Sequence, residues 1–196
     1  MRLLIYGFGP YRQFSDNITA RILQKLPKRK PIKKIIFPVR FRKTQFTKAV
    51  TEFEPDIILG LGQCSRGRLM RIENVAANQR RNSRREKPKM ITPRGAATLA
   101  TTLKLNLGRN ARSSRNAGDY VCNYSMYVIL DFLKRGGQPI PFGFVHIPHQ
   151  YDEKRAGRLL TKAIDRLLVE KAGRCGRGKF SESFDGLRTS GDRFKL

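Results

Sequence analysis

Asn116-Ala117-Gly118-Asp119-Tyr120-Val121-Cys122-Asn123-Tyr124-Ser125-Met126-Tyr127 is the stretch on which the reading of this 196-residue chain turns. A glycine-bearing loop runs into a helix whose following residues (Val128, Ile129, Leu130, Phe132, Leu133) are apolar on most faces, so the helix belongs to an interior that other layers must cover. Cys122 falls at the helix start. Unpaired backbone N–H groups and the positive end of the helix dipole meet there, and the placement predicts a thiol pKa below that of free cysteine. A buried cysteine is otherwise only a small hydrophobe.

Two further segments give that thiol partners. Phe142-Gly143-Phe144-Val145-His146-Ile147-Pro148 reads as an interior strand ending at a histidine, 24 positions after Cys122. That interval holds the helix, a turn at Gly136-Gly137 and a returning strand. Chemistry in an open α/β sheet collects at the carboxyl ends of strands, where a helix N-terminus can face a strand end. Met70-Arg71-Ile72-Glu73-Asn74-Val75-Ala76-Ala77-Asn78 alternates weakly, as a strand does, and carries one carboxylate. A cysteine, a histidine to take its proton and an acid to orient that histidine form a Cys-His-Glu arrangement for acyl transfer. His149 lies past Pro148, off the strand end, and is read as a loop residue.

Outward from these segments, strands and helices alternate. Strands are predicted at Leu3 to Tyr6, Lys34 to Phe41, Asp56 to Leu61, Met70 to Ala77 and Phe142 to Ile147. Helices are predicted at Asn17 to Leu26, Lys43 to Phe53, Val121 to Lys134 and Glu153 to Lys171. In the last, Leu159, Leu160, Ala163, Ile164, Leu167 and Leu168 recur at helical spacing. The alternation implies a single three-layer α/β/α domain with a mostly parallel twisted sheet, of the phosphorylase/hydrolase-like kind, over residues 1–171. Residues 172–196 turn to glycine, serine and charge and are expected to form a disordered tail.

Composition excludes several classes. No run of 18 apolar residues is present, so no membrane span is expected, and Leu3 to Tyr6 leads into a glycine turn rather than a signal peptide. Cys64, Cys122 and Cys175 have no C-x-x-C spacing, which argues against a disulfide framework and a zinc site and suits a reducing compartment. Neither Cys64 nor Cys175 has surroundings in the sequence that suggest more than a thiol. Gly7-Phe8-Gly9 follows a strand as a dinucleotide fingerprint would, but Pro10 interrupts the turn and Arg12 takes the third glycine's place, so no cofactor is expected.

Six blocks in order resemble pyroglutamyl peptidase I, a family of cytosolic cysteine peptidases that remove N-terminal pyroglutamate. Gly7 to Tyr11 with Asn17 is similar to the family's opening G-F-x-P-F…N, and Phe37 to Phe41 to its P-V-x-F segment. Pro55 to Gln63 resembles its P-D…G-Q strand and turn, and Ile72 to Asn78 its I-E-R-V-A-x-N. Asn116 to Tyr127 resembles the A-G-x-x-x-C-N-x-x-M-Y signature, and Phe144 to Pro148 F-x-H-x-P. The resemblance implies Cys122 as nucleophile, His146 as general base and later acid, and Glu73 as the residue that orients His146. It implies that Phe8, Tyr11, Val39, Tyr120 and Val121 line an apolar slot for the pyrrolidone ring, with Gln63 beside it. Such a slot suits a small neutral lactam. A cytoplasmic thiol protease that needs no metal or cofactor, acts on peptides and forms a homo-oligomer is what the likeness predicts. Two segments depart from the pattern. Gln79 to Lys87 replaces an acidic run that carries an arginine at the family's site, and Leu107 to Arg115 is shorter than its counterpart.

The formal net charge is +26, and after Lys171 six Lys/Arg stand against three Asp/Glu, so nearly all of it belongs to the folded part. Arg80, Arg81, Arg84, Arg85, Lys87 and Lys89 form one block, and Arg109, Arg112 and Arg115 another, both within the departing segments. The alternative function is therefore a peptidase-like scaffold that binds nucleic acid or another polyanion weakly and without sequence preference. Aromatic residues do not alternate with these arginines, which removes support for stacking on single strands. A solvated basic surface is the plain reading of the same charge.

Overall fold

The computed structural model describes residues 1–177 apart from 12, 13, 66 and 84, with side chains of the last helix described as far as Val169. The element order is β1 (Leu3–Phe8), α1 (Ile18–Lys25), β2 (Ile32–Phe37), α2 (Lys43–Phe53), β3 (Ile57–Cys64), β4 (Met70–Glu73), β5 (Val75–Ala77), β6 (Thr98–Ala100), β7 (Ala111–Ser114), α3 (Val121–Arg135), β8 (Phe142–Pro148) and α4 (Glu153–Arg177). Six strands form one sheet in the order β2-β1-β3-β8-β4-β7, and β5 and β6 pair separately. The sheet is parallel except between β8 and β4, which run antiparallel.

Helices cover both faces, as the alternation predicts. On one face Tyr6, Phe8 and Phe144 pack with Phe46 of α2 and Tyr124, Met126 and Tyr127 of α3. On the other, Leu3, Ile5, Leu59, Leu61, Val145 and Ile147 pack with Ile18 and Ile22 of α1 and Leu160 and Ile164 of α4. Burial on both sides is why β1 and β8 read as continuous apolar runs rather than alternating ones. Each such side chain removed from water contributes about 1.5–3 kcal/mol.

The edges of the elements differ from expectation where hydrogen bonding decides. The predicted strand from Lys34 to Phe41 ends at Phe37, because Pro38 has no N–H to continue the ladder. The predicted strand from Met70 to Ala77 is two strands. At Asn74 the backbone N–H donates to the Ser114 carbonyl and the side chain to Ser113 Oγ, and beyond that point the chain leaves the large sheet to pair with β6. The Leu107 to Arg115 segment supplies a 3-10 turn at Gly108–Asn110 and the short edge strand β7. Helix α4 runs to Arg177, past the boundary drawn at Lys171, and the rest of the expected tail lies outside the described residues.

Candidate active site

The carboxyl ends of β1, β3 and β8 meet the N-termini of α1 and α3 around a cavity of about 410 Å³. Phe8, Gln63 and His146 reach it from those strand ends, and Cys122 from the first turn of α3. His146 Nδ1 lies 2.7 Å from Glu73 Oε1, with the Glu73 side chain fully buried and that of His146 nearly so. A carboxylate only accepts, so Nδ1 carries the proton and Nε2 is left as the basic nitrogen of the neutral ring. Arg71 is directly across from His146 in the β4–β8 ladder, and Glu73 is its diagonal neighbour on the same face.

Gly62 is what lets the thiol and the imidazole approach. A Cβ placed there would lie 2.8 Å from Cys122 Sγ and 2.8 Å from His146 Cδ2, so those two atoms are within twice that distance of each other. Gly60, two residues back on the same face, makes room in the same way for Phe144 and Tyr6. Any side chain at either position would occupy space that the site or its supporting rings already fill.

Electrostatics at the thiol differ from the helix-start expectation. Burial first, then the neighbouring Cys64 and the Glu73 carboxylate, push the Cys122 thiol up to about 12, outweighing Arg71 and the residue's own backbone N–H, which pull it down. Desolvation in a packed floor overrides a helix dipole that acts across only one turn. The imidazole is also held in its neutral form: burial lowers the His146 pKa, against the hydrogen bond and charge of Glu73, and Arg71 lowers it further. The resting pair is thus a thiol and a neutral imidazole beside a carboxylate. Cys64, whose surroundings the sequence left blank, lines the same cavity as Cys122.

All six residues expected in the substrate slot, Phe8, Tyr11, Val39, Gln63, Tyr120 and Val121, line the cavity, and Glu73 stands behind His146. Tyr11 and Tyr120 pack ring to ring at 6.0 Å, forming an aromatic side wall. Gln63 Oε1 accepts the Ile18 N–H at 2.9 Å, while its buried Nε2 has no partner among the described residues. The first turn of α3 has no side-chain cap, leaving its N–H groups as donors at the thiol. Of the first arginine block, Arg81 lines the cavity and is paired at 2.5 Å with Asp119, and Arg80 lies over the Phe41 ring at 5.2 Å.

Three asparagines that drew little notice in the sequence hold the walls together. Asn17 caps α1 by accepting from the Thr19 N–H and donates to the Gly9 carbonyl. Asn123 accepts from the Ala77 N–H and donates to the Ala77 and Gln79 carbonyls, tying the residue after Cys122 to the strand after Glu73. Asn78 donates to the Thr92 carbonyl and accepts from the Ile91 and Thr92 N–H groups, closing the arginine-rich loop. The matching blocks contained all three. Their roles lay in pairings that only the fold reveals. Among the described residues no group of three His, Cys, Asp or Glu side chains could hold a metal ion, and no helix is long and apolar enough to cross a membrane.

Comparison with known proteins adds a relationship to this geometry. The family model described as pyroglutamyl peptidase matches residues 1–157. A pyrrolidone-carboxylate peptidase of Halalkalibacterium halodurans is 32% identical over 168 residues, covering 74% of this chain and 83% of that one. Pyrrolidone-carboxylate peptidase 1 of Saccharolobus solfataricus is 25% identical over 190 residues, covering 86% and 89%. Among solved structures, a mutant pyrrolidone carboxyl peptidase from Pyrococcus furiosus superposes with a TM-score of 0.76 at 24% identity, covering 87% of this chain and 99% of that one, which establishes the shared fold.

Proposed function

The chain belongs to the pyroglutamyl peptidase family, and from that membership we propose that it removes N-terminal pyroglutamate from peptides by Cys-His-Glu acyl transfer. The observation that supports this most is the 2.7 Å bond from His146 to a fully buried Glu73, with Cys122 Sγ and the same imidazole both bordering Gly62. His146 Nε2 takes the thiol proton as Sγ attacks the carbonyl that joins pyroglutamate to the next residue. The tetrahedral oxyanion is met by N–H groups of the first turn of α3. His146 then returns the proton to the leaving amine, and water, deprotonated by the same imidazole, hydrolyses the thioester. Burial raises the Cys122 thiol pKa, so the thiol depends on His146 to take its proton.

The cavity walls favour the neutral lactam. Phe8, Val39, Val121 and the Tyr11–Tyr120 wall supply an apolar slot, and Gln63 Nε2 is a donor for the ring carbonyl. An N-terminal α-ammonium would lose its hydration there without a carboxylate to meet it, since Asp119 is paired with Arg81 and Glu73 with His146. We take residues 1–171 as the catalytic unit, working in the cytoplasm as a homo-oligomer. The arginines Arg80 and Arg81 are engaged within the fold, so polyanion binding, if it accompanies the activity, falls to the remaining basic surface. Turnover of a fluorogenic pyroglutamyl amide against the alanyl amide tests the assignment. Release from the first alone is expected, and equal turnover of both would overturn it.

A further inference from the structure

We propose that Arg71 is a positioning residue for this reaction, its guanidinium offsetting the buried Glu73 carboxylate so that His146 stays unprotonated and available as the base. The proposal rests on the peptidase reading of the site. Arg71 Nε lies 3.2 Å from Glu73 Oε1, the same oxygen that His146 Nδ1 meets at 2.7 Å. Its Nε–H makes no aligned hydrogen bond among the described residues, so the contact with Glu73 is coulombic and leaves the carboxylate's directional bonding to the imidazole. The side chain is 27% exposed and lines the cavity, directly across the β4–β8 ladder from His146.

A carboxylate as deeply buried as Glu73 requires a positive charge beside it. Among the described residues, two groups in contact with it can provide one. If His146 does, it becomes an imidazolium and no longer serves as a base. Arg71, which does not deprotonate in proteins, provides it permanently. Among the described residues, the other charged and titratable groups that line the cavity around His146 do not replace this function. Cys64 on β3 and Cys122 on α3 are thiols, and Arg81 and Asp119 across the cavity are paired with each other. The same guanidinium favours the thiolate as it forms. Within a chain carrying 41 Lys and Arg residues, nothing in the sequence separates this arginine from the rest.

The test uses full-length R71Q and R71K with two readouts: the pH profile of kcat/KM on a pyroglutamyl amide, and the rate of Cys122 alkylation by iodoacetamide, located by peptide mass mapping, which needs no substrate. R71Q should move the acid limb of both profiles upward by about one pH unit and slow alkylation at a fixed pH on that limb about fivefold to tenfold. R71K should keep both limbs within a few tenths of a unit of wild type. A uniform loss of rate at every pH with the limb unmoved would overturn the proposal, as would an equal shift in R71K. If R71Q does not fold, R71M, which keeps the apolar stem and loses the charge, carries the same comparison. An Arg71-dependent alkylation profile in a protein that does not turn over the pyroglutamyl amide would uphold the role of Arg71 and overturn the substrate assignment.

Discussion

Gln63 is held by Ile18: its Oε1 takes the backbone N–H of the first residue of α1, and its buried Nε2, on a side chain that lines the cavity, has no hydrogen-bond partner among the described residues. A buried donor left unpaired costs about 1–3 kcal/mol, a cost that a carbonyl oxygen of the substrate would relieve on binding. Gln63→Glu keeps the acceptor for Ile18 and removes the donor. KM for a pyroglutamyl amide should rise about tenfold with kcat changed far less. An unchanged KM would show that Nε2 does not meet the ring.

The three central side chains should fall in a definite order. Cys122→Ala should abolish turnover while leaving the thermal transition near that of wild type. His146→Ala should cost about a thousandfold, within the range for a lost general base. It should also slow alkylation of Cys122, because a thiol held near 12 depends on a neighbouring base. Glu73→Gln should cost less than His146→Ala, since the amide can still accept from Nδ1 while losing the charge. Retention of full turnover by Cys122→Ala would discard the mechanism.

Burial is the largest influence on His146 and holds it below the ordinary imidazole value of 6.5. The base form therefore persists as pH falls past 6.5, and kcat/KM should stay level there and drop only further into acid. Stability is lost on the same acid side but earlier: between the two values the unfolded chain binds the proton and the folded chain does not, so the protein loses stability as pH falls below about 6.5. A kinetic limb at pH 7 or above, measured under first-order conditions, would contradict the assignment of His146 as a desolvated base.

Gly62→Ala places a methyl 2.8 Å from the sulfur, the imidazole and the Phe144 ring at once. The Phe144 ring is fully buried, so the sulfur and the imidazole, which border the cavity, are the groups that must shift. Overpacking of this kind costs about 1–3 kcal/mol, and kcat should fall by more than the stability loss explains because the thiol and base are forced apart. Denaturant unfolding alongside kinetics separates the two effects, and a variant with wild-type kcat would mean that the pair tolerates wider separation.

Asn123→Ala removes three hydrogen bonds and leaves the Ala77 N–H and the Ala77 and Gln79 carbonyls without that partner. A loss of about 2–3 kcal/mol is expected from unfolding curves, with faster proteolysis in the arginine-rich loop that follows. An equally resistant loop would locate its support in Asn78 instead.

How far the sequence could be read depended on the kind of information each element carries. The strands β1, β3 and β8 and the four helices were legible because burial on one or two faces imposes a period on the residues themselves. The three-residue strand β6 was not, since Thr98 to Ala100 bears no pattern and exists as a strand only through its pairing with Val75 to Ala77, which the sequence shows only as the end of one longer strand from Met70. The cavity residues were legible as matching blocks. The ion pair of Arg71 with Glu73 and the nearness of Cys64 to Cys122 were hidden, because both depend on strand register and on the packing of α3. The thiol was misjudged for a related reason: the helix start is visible in sequence, whereas the depth of burial at that start is not.

The reversed strand β4 makes the chemistry hostage to alignment. Side chains on a strand alternate between faces, so a one-residue slip of β4 against β8 would turn both Arg71 and Glu73 toward α4 and set Ile72 opposite the histidine face. Glu73 and His146 are 73 positions apart, and their pairing waits on the return of β8 after α3. A chain that has collapsed, formed its helices and even closed its cavity would still be inert until β4 settles into the correct register. During refolding, recovery of turnover should therefore lag behind recovery of helical signal and report the final alignment of a single four-residue strand.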